Sequence, residues 1–374
     1  MTMDPIPVNT PLLGDRERDY LMRCIETGWI SSEGPFVQEF ENKFSARVNR
    51  QHGIAVSSGT AALDCAMAAL DLGPGDEVIL PSLTIISCAS AIVRTGAKPV
   101  TVDSLPDVWN MNPEEVAAKI TPQTKAILIV HLYGLPADVD PILELAEKHG
   151  LAVVEDAAEA IGQTHRGRPC GSFGTLSVFS FYPNKHITTG EGGMIVTDCE
   201  DLATKCRSLR NLCFGSGNQR FEHEHLGWNY RMTNMQAALG LAQLESLDEH
   251  LKKKRRIGMT YGKALEQTLG LALPISETPY AENLFWVFGV VVENKRFSAA
   301  TEVTESLATR AVGTRPFFWP IHEQPVFRRM GLFDGVVHPM AEKLARRGFY
   351  LPSGLGLTEE QILRAAKELT QIMA

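Results

Sequence analysis

Phe179-Ser-Phe-Tyr-Pro-Asn-Lys-His-Ile-Thr-Thr-Gly-Glu-Gly-Gly193 sets one lysine, Lys185, in a polar, glycine-rich turn between apolar runs. A lysine so placed forms a Schiff base when its amine is partly desolvated and aimed at a carbonyl. Upstream, Val153-Val-Glu-Asp-Ala-Ala-Glu159 carries Asp156 at the end of a hydrophobic strand. A carboxylate there suits the protonated ring nitrogen of pyridoxal phosphate. Further upstream, Val56-Ser-Ser-Gly-Thr-Ala-Ala62 reads as a strand passing through a turn of small residues into a helix. The free N–H groups and dipole of such a helix start bind phosphate.

Taken singly, each segment has a structural reading. Lys185 could be a solvated charge, Asp156 a strand-end cap, and Ser57–Thr60 an ordinary helix N-cap. Together they supply an anchored amine, an acid and a phosphate cup in workable order.

Working outward, the chain from His52 to about Asp198 alternates short apolar runs with helical segments. Strands are predicted at Glu77–Leu80, Lys98–Val102, Ala126–Val130 and Leu151–Val154, with helices at Ala61–Leu72, Pro113–Ile120 and Pro141–His149. Near-continuous Val/Ile runs between helices predict a mostly parallel sheet covered on both faces. Ligands then sit beyond the carboxyl ends of the strands, where Asp156 and the Ser57–Thr60 turn fall. Met235, Ala238, Leu241, Leu244 and Leu247, at three-residue intervals, predict a helix from about Asn234 that continues towards Leu265. The best later strand is Asn283–Val292, in what reads as a small α/β domain.

Composition narrows the class. A chain of 374 residues with 44% hydrophobic and 21% charged residues exceeds one usual core, so a larger and a smaller domain are expected, 1–245 and 246–374. Net charge is −8, and the densest basic run, Lys252–Arg256, reads as a solvated helix face rather than a nucleic-acid surface. Seven cysteines without a C-x-x-C pair are expected to be reduced thiols of a cytoplasmic enzyme. The N-terminus lacks a signal-peptide pattern, no stretch is long enough to span a membrane, and His223-Glu-His225 reads as loop, so no metal site is expected.

Glu155-Asp-Ala-Ala-Glu-Ala160, Asn184-Lys-His-Ile-Thr-Thr-Gly-Glu-Gly-Gly193 and Asn229-Tyr-Arg-Met-Thr-Asn234 resemble the DegT/StrS-type sugar-nucleotide aminotransferases. The likeness extends to Thr27-Gly-Trp-Ile-Ser-Ser32, Gly73-Pro-Gly-Asp-Glu-Val78, His131-Leu-Tyr-Gly134 and Gly240-Leu-Ala-Gln-Leu-Glu245. It is dense from about Pro7 to Arg256 and looser beyond. The resemblance implies a fold-type I pyridoxal phosphate enzyme with a seven-stranded, mostly parallel sheet. It also implies an L-glutamate donor and a nucleotide-linked 4-keto-6-deoxy sugar acceptor. Within the family the likeness is strongest to enzymes that aminate C4 of a GDP-linked 4-keto-6-deoxymannose for surface polysaccharides.

By that resemblance Lys185 forms the Schiff base and moves the proton, and Asp156 pairs with the pyridinium. Ser58, Gly59, Thr60 and Ser180 match phosphate contacts. Glu159 stands beside the cofactor's ring oxygen, or is a polar wall residue. Asn229 matches a residue that reaches the phosphate from a neighbouring subunit, which implies a homodimer with shared active sites. Arg231 and Arg315 are candidates for the donor's carboxylate or the diphosphate, or else for structural ion pairs. Trp29 and Ser31 belong to a substrate-facing segment, with Trp29 equally readable as core, and His322 loosely matches a pocket segment.

Two positions depart from the pattern. Ile85 stands where an aromatic residue usually stacks on the cofactor ring, so dispersion replaces stacking. Arg210-Asn-Leu-Cys-Phe-Gly215 also differs from the Arg-Gly-Gln-Gly of those C4-aminating enzymes, which leaves UDP- or dTDP-linked acceptors open. Sugar dehydratases of this fold carry histidine in place of the lysine, and a non-catalytic relative would have lost Lys185 or Asp156. No G-x-G-x-x-G follows the first strand, which disfavours a nicotinamide site.

Overall fold

The computed structural model describes residues 4–215 and 217–374. Two helices, α1 (Asp15–Thr27) and α2 (Pro35–Arg47), precede an alternating run. That run comprises β1 (His52–Val56), α3 (Gly59–Ala69), β2 (Glu77–Pro81), α4 (Ile86–Thr95) and β3 (Lys98–Val102). It continues with α5 (Pro113–Lys119), β4 (Thr124–Val130), α6 (Asp140–His149) and β5 (Ala152–Asp156). A hairpin of β6 (Thr164–His165) and β7 (Arg168–Pro169) leads to β8 (Leu176–Ser180) and β9 (Gly193–Thr197). Helices α7 (Glu200–Arg210), α8 (Asn234–Glu245) and α9 (Leu247–Leu265) follow.

The seven strands lie in the order β1-β9-β8-β5-β4-β2-β3. Pairs β2–β3, β2–β4, β4–β5 and β5–β8 are parallel, whereas β9 runs antiparallel to both neighbours. The sheet is therefore the mostly parallel one that the continuous apolar strands predict. Cys65, Met67, Leu80, Leu128 and Val154 are buried on one face, and Phe40, Phe44, Phe179 and Phe181 on the other. The Phe44 ring meets those of Phe179 and Phe181 edge-on at 4.8 and 5.2 Å. Such pairs add about 0.5–1.5 kcal/mol each beyond their buried area.

Beyond α9 come β10 (Leu271–Ala272), the hairpin β11 (Glu277–Thr278) and β12 (Ala281–Glu282), and β13 (Phe288–Val292). Then follow α10 (Ala300–Thr309), β14 (Arg315–Pro316), α11 (Pro325–Arg329), α12 (Pro339–Arg347), β15 (Gly348–Leu351) and α13 (Glu359–Met373). A four-stranded sheet, β10-β13-β15-β14, is covered by α9, α10 and α13 around Tyr261, Phe288, Val290 and Leu369. Trp286, Val287, Phe317 and Leu344 instead join the core of the large sheet, so packing is continuous between the two sheets.

Three local expectations change. The single helix from Asn234 is two helices, because Ser246 caps both α8 and α9. Helix α8 packs on α1 and α2, whereas α9 turns to pack on α13. The strand read at Asn283–Val292 begins only at Phe288, since Phe285 has a positive φ of 54° that breaks extended pairing. The Lys252–Arg256 cluster is not wholly a solvated face: Lys254 is 1% exposed. It falls on the inner face of α9 with Leu251, Ile257, Gly258 and Tyr261, one turn from each neighbour. His223 and His225 lie in exposed loop, and all seven cysteines are free. No helix among the described residues is long and apolar enough to cross a membrane.

Candidate active site

A cavity of about 350 Å³ opens at the carboxyl ends of the central strands. It is lined by Ser58, Gly59, Thr60, Ile85, Asp156, Glu159, Ser180, Lys185 and Arg315, nine of the residues read from the sequence. Residues far apart in sequence meet because β1, β5 and β8 all deliver their ends to one edge of the sheet.

Ser58 caps α3, its Oγ accepting the N–H of Ala61 at 3.1 Å. The amides of Gly59 and Thr60 have no acceptor among the described residues, so two N–H donors and the helix dipole face the cavity. Residue 59 must be glycine here, because a Cβ would come within 2.7 Å of the Ser180 Cβ. Thr60 Oγ1 lies 2.9 Å from Ser87 Oγ. Backbone donors, hydroxyls and the absence of a side chain at 59 make a cradle that fits a phosphate.

Asp156 ends β5 and is 4% exposed. Its Oδ1 accepts the Ala158 N–H at 3.0 Å and its Oδ2 the Cys88 thiol at 3.3 Å. Burial raises its pKa above the usual carboxylate range, opposed by the Ala158 N–H and the Lys185 charge. A cationic ring nitrogen would supply the missing counter-charge. The side chains present thus fit pyridoxal phosphate at both its ends.

Lys185 lies between these ends. Its Nζ is 3.8 Å from Glu159 Oε1 and 3.8 Å from the centroid of the Trp286 ring. Burial pulls the Lys185 pKa down, while Glu159 and Asp156 pull it up. Glu159 itself is pushed up to about 7, chiefly by burial, although Lys185 and the Tyr133 N–H favour its anion. A lysine whose pKa burial pulls down is the nucleophile that carbonyl chemistry needs. Trp286 is held by its indole N–H, which donates to the Asn184 carbonyl at 2.7 Å, and by stacking parallel to Tyr133. Gly134, with φ of +102°, lets that wall close: a Cβ there would sit 2.3 Å from the backbone nitrogen of Trp286.

Other residues expected at the site lie elsewhere in the chain. Ser31 and Arg231 line a separate polar basin of about 550 Å³ with Arg207, Arg210, Arg220 and Asn211. Arg231 donates to Asn211 Oδ1 at 2.6 Å, and exposed Asn229 bridges Asn211 through the backbone. Within the divergent Arg210–Gly215 segment, Arg210 is paired with Glu41. Trp29 is 48% exposed, so it is not core. His322 is buried away from the cavity, bonded to Ser82 Oγ at 2.7 Å and Glu342 at 3.2 Å.

Sequence reasoning missed Cys88, Tyr182, Asn184, Trp286, Phe318 and Tyr350, all placed at or against the cavity. Asn184 adjoins Lys185 and was within the quoted turn. Trp286 and Tyr350 arrive from the second sheet, and no local pattern announces such contacts.

The model of the DegT/DnrJ/EryC1/StrS aminotransferase family matches residues 11–370. The chain is 43% identical to the GDP-perosamine synthase of Caulobacter vibrioides, with 98% of each chain covered. It is 40% identical to that of Escherichia coli O157:H7, with 99% of each covered. Among solved structures, DesV of S. venezuelae is 36% identical, with a TM-score of 0.87 over 96% of this chain and 94% of that one. Aminotransferases of this family depend on pyridoxal phosphate, which the α3 cradle, Asp156 and Lys185 would fit. A match from end to end, with lysine, acid and phosphate cradle converging on one cavity, establishes that this chain belongs to the DegT/DnrJ/EryC1/StrS aminotransferase family.

Proposed function

We propose that the enzyme transfers the amino group of L-glutamate to C4 of GDP-4-keto-6-deoxymannose, yielding GDP-perosamine for a surface polysaccharide. The observation that carries the reading is the Lys185 amine, held between Glu159 and Trp286 in the cavity that contains Asp156. Two full-length relatives named GDP-perosamine synthase support the choice of acceptor. Pyridoxal phosphate, when bound, supplies the electron sink that lets one carbon exchange amine for carbonyl. The chain's own residues do the rest. Asp156 holds the ring nitrogen protonated, the α3 cradle anchors the phosphate, and Lys185 takes and returns the proton at the reacting carbon. Glu159, with a pKa of about 7, shares a proton with the group beside it.

The working unit in this reading is a homodimer. Asn229 is not among the lining of its own subunit's cavity, yet it matches a position that serves a neighbour's site, and Arg231, a candidate for substrate charge, lies apart from that cavity too. Leu13 before α1, Ile25 within it, Trp29 and Ile30 after it, and Ile85 at the cavity, are 41–58% exposed. An apolar surface of this kind calls for a covering partner. Asn229 of the partner subunit would then close the phosphate cup.

The test compares kcat/KM for GDP-, UDP- and dTDP-linked 4-keto-6-deoxy sugars, with products identified by mass spectrometry and NMR. The GDP sugar should be the best acceptor and the product a 4-amino sugar. A better UDP or dTDP acceptor overturns the assignment. Borohydride reduction and peptide mapping should place the pyridoxyl group on Lys185.

A further inference from the structure

A second cavity, of about 230 Å³, adjoins the first and shares Tyr182, Asn184, Trp286, Arg315 and Tyr350 with it. Its lining contains two cations, Lys254 and Arg315, and no carboxylate, although the chain carries a net charge of −8. Lys254 is 1% exposed and donates to the carbonyls of Trp286 at 2.8 Å and Ser353 at 2.6 Å. An ammonium has three donors, and the third has no acceptor among the described residues. The Arg315 guanidinium likewise has no hydrogen-bond or ion-pair partner among the described residues. Lys254 is buried and Arg315 exposed, and the two face one small chamber without an anion, which suits a ligand that brings one.

We propose that this chamber is the subsite for the distal carboxylate of the amino donor, with Arg315 and Lys254 as its cationic walls. The proposal rests on L-glutamate as donor. Arg315 lines both cavities, so a donor with its amino group at Lys185 extends past Trp286 towards Lys254. The side chain of L-alanine would leave the chamber empty, and that of L-glutamine would leave both cations without a counter-charge. Asn184, whose buried Oδ1 has no partner, offers N–H donors to the same chamber when its amide is turned over.

The charged and titratable groups around Lys254 set a sign that can be measured. Lys185, His186 and His250 lie near it, Glu17 faces His250, and Arg315 and Tyr350 line the chamber wall. Burial, with Lys185 as a like charge, lowers the Lys254 pKa to about 7. An entering carboxylate favours the charged form of Lys254, so binding at pH 8 draws a proton to it.

Glutarate, a dicarboxylate with neither amino nor keto group, is the probe. Its binding to the holoenzyme is measured by calorimetry at pH 8 in buffers of different ionisation enthalpy, beside butyrate and inorganic phosphate. Glutarate should bind with net proton uptake. Butyrate should bind about tenfold more weakly or less tightly still, the scale of one lost charge-assisted hydrogen bond. Arg315→Gln should weaken glutarate about tenfold on the same grounds, and Lys254→Met should abolish proton uptake. If Lys254→Met does not fold, the exposed Arg315 variant decides. Glutarate binding indifferent to Arg315→Gln, uptake that persists in Lys254→Met, or phosphate bound with the same uptake overturns the subsite. A holoenzyme that takes an amino group from L-glutamate without these responses loses only the subsite. One that takes none from L-glutamate but does so from L-alanine loses the donor itself.

Discussion

The thiol of Cys88, at the start of α4, donates to Oδ2 of Asp156 across 3.3 Å, with both side chains buried. With the Ala158 amide on Oδ1, this leaves the carboxylate oriented but short of a full counter-charge. Asp156→Asn keeps the shape and removes the charge. The variant should retain pyridoxal phosphate while kcat falls about 100-fold or more, the scale of losing one preorganised electrostatic partner. Single-turnover kinetics check it, and near-normal turnover would take Asp156 out of its role.

Glu159 gives a pH signature. Its folded pKa of about 7 lies above the ordinary value of 4.5, so the folded chain holds a proton that the unfolded chain releases. Stability from this group is complete below pH 4.5 and declines as pH rises towards 7. Glu159→Gln removes that decline. Melting temperatures of the cofactor-free proteins should diverge in favour of the variant across this window, and parallel curves would contradict the assignment.

Ile85, 41% exposed and extended in backbone at the start of α4, offers only dispersion to a bound ring. Ile85→Phe should tighten pyridoxal phosphate by about 0.5–1.5 kcal/mol, a severalfold fall in Kd. Equilibrium dialysis measures it. An unchanged Kd would mean that the side chain at 85 does not face the ring.

The homodimer proposed above, with shared sites, predicts complementation. Lys185→Ala and Asn229→Ala homodimers should each be nearly inactive. After subunit exchange, mixed dimers carry one unlesioned site, giving up to about a quarter of full activity for equal mixing of C2 dimers. Exchange without any gain would place Asn229 in its own subunit's site.

What the sequence determined by itself was the part written in local pattern. Strand Lys98–Val102 matches residue for residue, and the α3 turn, the end of β5 and the lysine turn each announce themselves through spacing and residue type. Strand ends that carry a small-residue turn, an acid and a lysine can meet in few ways once the sheet is parallel. The tertiary structure alone decided what crosses between elements. Lys254 reads as one more charge in a basic run, yet α9 turns it inward to bind the carbonyls of Trp286 and Ser353. Trp286 reads as strand, but it caps Lys185 from 101 positions away in number, with its indole on Asn184. His322 stays in the core with Ser82 and Glu342. Periodicity reports which face of an element is apolar, whereas the partner of a buried polar group depends on how distant elements pack, which no local window contains.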